Sequence, residues 1–106
     1  LVNGIFVVKT DGYFNQEQGN RVFESCSKAI EEGHGNILID MEASKMVNSI
    51  GVSMLIEVIE KLQEVNGTLS FCNLAPVVEK TFRIMGLVKY AKMFESREEA
   101  KAQLGH

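Results

Sequence analysis

Apolar and polar positions along this chain follow two alternating rhythms. The segments at 5–8 (Ile-Phe-Val-Val), 36–41 (Asn-Ile-Leu-Ile-Asp-Met) and 68–72 (Thr-Leu-Ser-Phe-Cys) are short, nearly unbroken apolar runs rich in β-formers. Such runs predict strands, and 5–8 reads as a strand covered on both faces. Between them the apolar residues return every three or four positions. From 16 to about 32 the stripe is Val22, Phe23, Cys26, Ala29 and Ile30, with Glu, Lys and Asn opposite, which predicts a helix. After Ser49 it is Met54, Leu55, Val58, Ile59, Leu62 and Val65. Glu57, Glu60, Lys61 and Glu64 fill the other side, Glu57 and Lys61 at a supporting i,i+4 spacing.

Turn residues punctuate this pattern. Asp11-Gly12 closes the first strand, and Gly33-His34-Gly35 stops the first helix. Asn66-Gly67 ends the second, with Gly67 expected in the left-handed conformation. Pro76 opens a third helix with Val78, Phe82 and Met85 facing inward and Gly86 at its end. Residues 90–94 read as a short last strand. Ser96-Arg97-Glu98-Glu99 has the capping-box spacing that starts a final helix, to about Leu104. Strands alternating with helices predict an α/β fold with an at least partly parallel sheet and right-handed crossovers, in one domain over 1–106.

That topology puts the loop after the second strand at the carboxyl edge of the sheet, where open α/β sheets do their work. The loop holds Met46-Val47-Asn48-Ser49-Ile50-Gly51-Val52-Ser53. Ser49 or Asn48 stands as N-cap of the long helix, at its partially positive end, where a hydroxyl can hold an anion or carry a phosphate. Gly51 costs about 1 kcal/mol against Ala inside a helix, so something is expected to approach its backbone closely. On spacing alone an ordinary helix cap after a loop is the commoner case.

Composition narrows the function classes. Eleven basic and fourteen acidic residues give a net charge of −3 without a Lys/Arg cluster, which argues against nucleic acid. No apolar run nears the ~20 residues of a membrane span, and no signal-peptide pattern opens the chain. A cytoplasmic module is the expectation. Cys26 and Cys72 lie far apart and in apolar surroundings, as small buried hydrophobes of a reducing compartment. His34 sits in a Gly-flanked loop without ligand-spaced neighbours, so no metal or cofactor is expected. An enzyme is disfavoured by the absence of a G-x-S-x-G elbow and of a G-x-x-x-x-G-K-[ST] phosphate loop.

Taken in order, several segments resemble the STAS domain, shared by bacterial anti-sigma factor antagonists and the cytoplasmic tails of sulfate transporters. They are Ile37-Leu38-Ile39-Asp40, Asn48-Ser49-Ile50-Gly51, the Gly67 turn, Leu69-Ser70-Phe71-Cys72-Asn73, Pro76, Met85-Gly86-Leu87 and Ser96-Arg97-Glu98-Glu99-Ala100. Upstream, Gly12-Tyr13-Phe14-Asn15 resembles the family's Gly-x-x-Asp. The sequence departs from the pattern in three places. Asn48 and Asn15 replace Asp residues, and Ile50 replaces a second hydroxyl.

The resemblance implies a mixed, partly parallel sheet of four to five strands with about four helices, and a protein-binding switch that is not an enzyme. In antagonists of this family the Ser after the motif's Asp is phosphorylated by an anti-sigma factor that is also a serine kinase of histidine-kinase-like ATPase type. The unmodified domain binds that partner and frees a sigma factor; the phosphorylated one is released. By resemblance the phosphorylation site is Ser49, with Ser53 as the weaker candidate. The partner-binding surface is Asn15, Met46, Val47, Asn48, Ser49, Ile50, Gly51 and Ser53. The alternative is a STAS scaffold or subunit that binds a partner constitutively in a signalling or transport assembly. The family's usual first strand is short or missing before Gly4. That would leave a sheet edge open to weak homodimer pairing.

Overall fold

The computed structural model describes residues 4–104. Four strands, β1 (Phe6–Lys9), β2 (Asn36–Asp40), β3 (Thr68–Cys72) and β4 (Lys92–Phe94), form one sheet in the order β1-β2-β3-β4. Every neighbouring pair is parallel, so the expected partly parallel sheet carries no antiparallel strand among the described residues. The segment before Gly4 to which an extra edge strand was referred lies outside them. Four helices connect and cover the sheet: α1 (Gln16–Glu31), α2 (Ser49–Glu64), α3 (Pro76–Ile84) and α4 (Arg97–Leu104). A single 3₁₀ turn, Leu87–Lys89, lies between α3 and β4.

Alternation along each strand builds two cores, one per face. Ile37, Ile39, Leu69 and Phe71 face the larger core, with Val22, Cys26 and Ala29 of α1, Leu55, Val58, Ile59 and Leu62 of α2, and Val78 and Phe82 of α3. Phe71 and Phe82 meet edge-to-face at 4.9 Å between ring centres. Leu38 and Cys72 point to the other face, where Ile5 and Ala100 of α4 join them. Both thiols are free and buried, and burial pushes each up to about 12.

Phe6 and Val8 pack against the larger core and Val7, with the buried Ile5, against the smaller one, so β1 is covered on both faces as expected; as the outermost strand here it leaves Phe6, Val7 and Val8 half-buried and Lys9 exposed. Several local expectations need correction. Val65 is 52% exposed; α2 has already ended at Glu64, and Val65 is its C-cap. The left-handed residue after it is Asn66 (φ 56°), not Gly67. Gly67 is needed for a different reason: a Cβ there would lie 2.6 Å from the Gly35 carbonyl oxygen. The last strand is only three residues long, since residues 87–90 are taken up by the 3₁₀ turn and its cap. Met85 is half-buried and not fully inward. His34 stacks on Phe6, with 5.5 Å between ring centres.

Candidate functional site

The loop that follows β1 is zipped onto the loop that follows β2. Thr10 N–H donates to Asp40 O (3.1 Å), Gly12 N–H to Ala43 O (3.1 Å), Phe14 N–H to Met46 O (2.9 Å) and Asn48 N–H to Phe14 O (3.0 Å). Phe14 and Val47 form a parallel bridge, and a buried hydrogen bond joins the Thr10 and Ser44 hydroxyls at 2.7 Å. The residues after that bridge, Asn15 and Asn48, are the N-caps of α1 and α2. Two helices therefore begin side by side, with their partially positive ends at one place.

Both caps work through neutral amides. Asn48 Oδ1 accepts from the Gly51 N–H at 2.8 Å, and Asn15 Oδ1 accepts from the Gln18 N–H at 3.2 Å. Of the two cap candidates the structure selects Asn48, and Ser49 is the first residue of α2. No acidic residue stands in the first turn of α2. Ser49 is exposed, and its hydroxyl has no protein hydrogen-bond partner among the described residues. Ser53 is exposed too, but its Oγ donates to Ile50 O at 2.6 Å, which occupies its proton.

Ile50 and Met46 flank Ser49 in sequence and are 54% and 64% exposed. Val47, Asn48 and Asn15 are half-buried. Gly51 is buried, so it serves the site from beneath. A Cβ on it would lie 2.7 Å from Phe14 O and 2.8 Å from Asn15 O, which is the close backbone approach its position suggested. Sequence reading left out Tyr13, 49% exposed. It lines a shallow dip of about 250 Å³ with Ala43, Lys45 and Met46. Its place in the Gly12-Tyr13-Phe14-Asn15 motif was the available signal.

A second polar cluster holds the same edge of the sheet together. Asp40 ends β2 and is 5% exposed. Its carboxylate accepts from Arg97 Nη2 (2.8 Å) and Nε (3.2 Å), Asn73 Nδ2 (3.0 Å) and the Glu42 N–H (3.0 Å). Burial alone would push this carboxyl up; the hydrogen bonds from Asn73, Arg97 and the Glu42 N–H outweigh it, and the Asp40 carboxyl lies below its ordinary value. The clip ties β2, β3 and α4 together, fixing where the 41–48 loop starts. Among the described residues no group of three or more His, Cys, Asp or Glu is placed to hold a metal ion, and no helix is long and apolar enough to cross a membrane.

A parallel α/β sheet with an exposed Ser at the first position of the helix after β2 is the arrangement to compare with known proteins. The STAS domain family profile matches residues 2–100, and the chain belongs to that family. The anti-sigma factor antagonist BtrV, as it is named in Bordetella bronchiseptica, is 24% identical over 101 residues, 95% of this chain and 87% of that protein. A Thermotoga maritima protein described as an anti-sigma factor antagonist superposes with a TM-score of 0.90 at 12% identity, covering 100% of this chain and 92% of its own. The Bacillus cell-fate determinant SpoIIAA, in its phosphorylated form, superposes with a TM-score of 0.77 at 23% identity, over 98% of this chain and 94% of its own. A sulfate transporter family protein of Wolinella succinogenes superposes with a TM-score of 0.79 at 16% identity, over 96% of this chain and 87% of its own, so the shared fold is that of the STAS family as a whole.

Proposed function

We propose that this chain is an anti-sigma factor antagonist, released from a kinase-type anti-sigma factor when that partner phosphorylates Ser49. The observation that carries the reading is the exposed, unengaged Ser49 hydroxyl at the start of α2, bordered by the exposed apolar side chains of Met46 and Ile50. The unmodified surface is partly apolar, which suits a protein contact. A phosphate adds about −1.5 to −2 charge. In the free domain that charge meets two helix N-termini capped by neutral Asn, worth about 0.3–1 kcal/mol for an exposed anion. In a partner interface without a facing Arg or Lys, the same dianion costs several kcal/mol. At ~1.4 kcal/mol per tenfold, the contact weakens at least ~100-fold.

The Asn residues at 15 and 48 depart from the family's Asp but keep both caps, since Asn caps a helix about as well as Asp. The switch would operate in a bacterial cytoplasm on a protein partner, with no nucleic acid, cofactor or catalytic role assigned to the chain.

The test incubates the protein with ATP and each kinase-type anti-sigma factor of its source organism. The expected result is a mass gain of one phosphate on Ser49, absent in Ser49→Ala, and tight binding by wild type that Ser49→Asp loses. Equal binding by wild type and Ser49→Asp, with no phosphate uptake, would refute the switch and assign the constitutive scaffold instead.

A further inference from the structure

Helix α2 contacts its two neighbours unequally. Against α1 it is close enough that Gly19 faces the Gly51 carbonyl, where a Cβ would lie only 3.1 Å from that oxygen. On its other side, toward the turn that follows α3, a groove of about 270 Å³ stays open. Its floor is apolar, from Ile56, Met85 and Leu87, and its rims are Glu60 and Gln63 of α2 and Tyr90 across from them. Tyr90 is 63% exposed and Ile84, next to Met85, is 75% exposed. Exposed apolar surface concentrated around a concavity marks an interaction site.

The groove shares its helix face with Ser49. At 100° per residue, Ser49, Ile56 and Glu60 fall within about 20° of one line along α2. The 11 positions from Ser49 to Glu60 span about 16 Å. A standard interface covers ~800 Å² per partner, a disc of roughly 16 Å radius. A protein seated over Ser49 therefore reaches the groove. Glu60 on the groove rim is exposed, as are Glu57 and Glu64 further round α2 and away from the groove. None takes part in the ion pairs formed among the described residues, which are Arg21–Glu17, Arg83–Glu79 and Arg97–Asp40. Lys61, the cation of this helix, is turned toward the Phe23 ring, 5.6 Å from its centre.

We propose that the partner which contacts Ser49 also docks in this groove. It would insert a segment of apolar side chains flanked by Lys or Arg that face Glu60. This rests on the reading of Ser49 as the surface a partner contacts, and it adds a second anchor, chemically distinct from the first. The Ser49 end is the switched contact. The groove end is untouched by phosphorylation and supplies the choice of partner, through an apolar pocket and a charge of defined sign.

The experiment measures binding of the full chain to each purified kinase-type anti-sigma factor of the source organism by titration calorimetry. Glu60→Lys, Tyr90→Ser and Ser49→Asp are compared, all at exposed positions, with circular dichroism confirming each fold. Glu60→Lys and Tyr90→Ser are each expected to weaken binding about tenfold, as loss of an interface anchor or a reversed rim charge does. Glu60→Gln should flatten the salt dependence. Wild-type affinity in both groove variants, with Ser49→Asp impaired, would overturn the groove and leave the Ser49 reading standing. Impaired groove variants with Ser49→Asp unaffected would support the groove and refute the switch. No binding to any of these kinases by wild type would overturn both. A dimer in light scattering that Tyr90→Ser dissolves would assign the groove to a second copy of the chain and overturn a kinase occupant.

Discussion

Replacing Gly51 by Ala sets two opposite effects against each other at the centre of the proposed site. In an exposed helix interior the change stabilises by about 1 kcal/mol, because Ala is the better helix former. Here the added Cβ would stand 2.7 Å from Phe14 O and 2.8 Å from Asn15 O, closer than real side-chain carbons come. Neither oxygen can yield freely. Phe14 O accepts from the Asn48 N–H at 3.0 Å, and Asn15 O accepts from the Gly19 N–H at 2.8 Å. Overpacking of this kind costs about 1–3 kcal/mol, and lengthening two hydrogen bonds adds a part of the ~0.5–1.5 kcal/mol each contributes.

After subtracting the helix gain, the net loss is about 2 kcal/mol, or roughly 8–16 °C in Tm for a domain of this size. Urea titration and a thermal scan followed by far-UV circular dichroism measure it. Gly19→Ala is the control. Its Cβ would meet Met54 Cγ at 2.9 Å, which a flexible side chain can withdraw, and the Gly51 carbonyl oxygen only at 3.1 Å against 2.7 Å for the Gly51 variant, so its cost should be the smaller of the two. A Gly51→Ala protein with a Tm at or above wild type would refute the idea that the two loops are clamped together at this glycine.

Two further outcomes test the polar groups nearby. Arg97→Ala should destabilise by about 2–4 kcal/mol at pH 7, toward the range for breaking a buried pair, since it leaves the Asp40 carboxylate buried with only Asn73 and the Glu42 N–H. Because the Asp40 carboxyl lies below its ordinary value, its contribution is present above the unfolded value of about 3.9 and fades as pH falls through the folded one. The penalty of the substitution should therefore shrink in urea titrations repeated near pH 3, and an equal loss at both pH values would contradict the clip. Asn48→Ala should cost about 1 kcal/mol by removing the α2 cap, whereas Asn48→Asp should keep the cap. Chemical denaturation separates the two, and equal stability of Ala and Asp variants would show the cap to be inert.

The order and type of elements were legible because each rested on a local signal: apolar runs for β2 and β3, a 3.6-residue stripe for α1 and α2, Pro76 and Gly86 bounding α3. The loop at 46–53 was legible for the same reason, through a cap residue and a glycine inside a helix start. What could not be read depended on contacts between distant segments. Whether Ser49 or Asn48 caps α2 is decided by the backbone turn that the Phe14–Val47 bridge imposes. The need for glycine at 67 comes from Gly35, thirty-two positions away in sequence. The Asp40–Arg97 clip joins residues 57 positions apart, and nothing periodic announces it. The groove is the clearest case. Its walls come from α2 and from the turn after α3, and a gap between two such elements leaves no mark on either sequence.

The unequal cover of the two sheet faces has a consequence for how the molecule yields. Three helices shelter one side, while the other depends on α4, eight residues long and too short to persist as a helix without docking. Its attachments are Ala100, the flank of Leu104 and the guanidinium of Arg97. Under rising denaturant or a pulling force this flap should peel away first. Cys72 would then become reachable and the Asp40 carboxylate would lose Arg97, while the hydrogen bonds between the two loops beneath Ser49 stay in place.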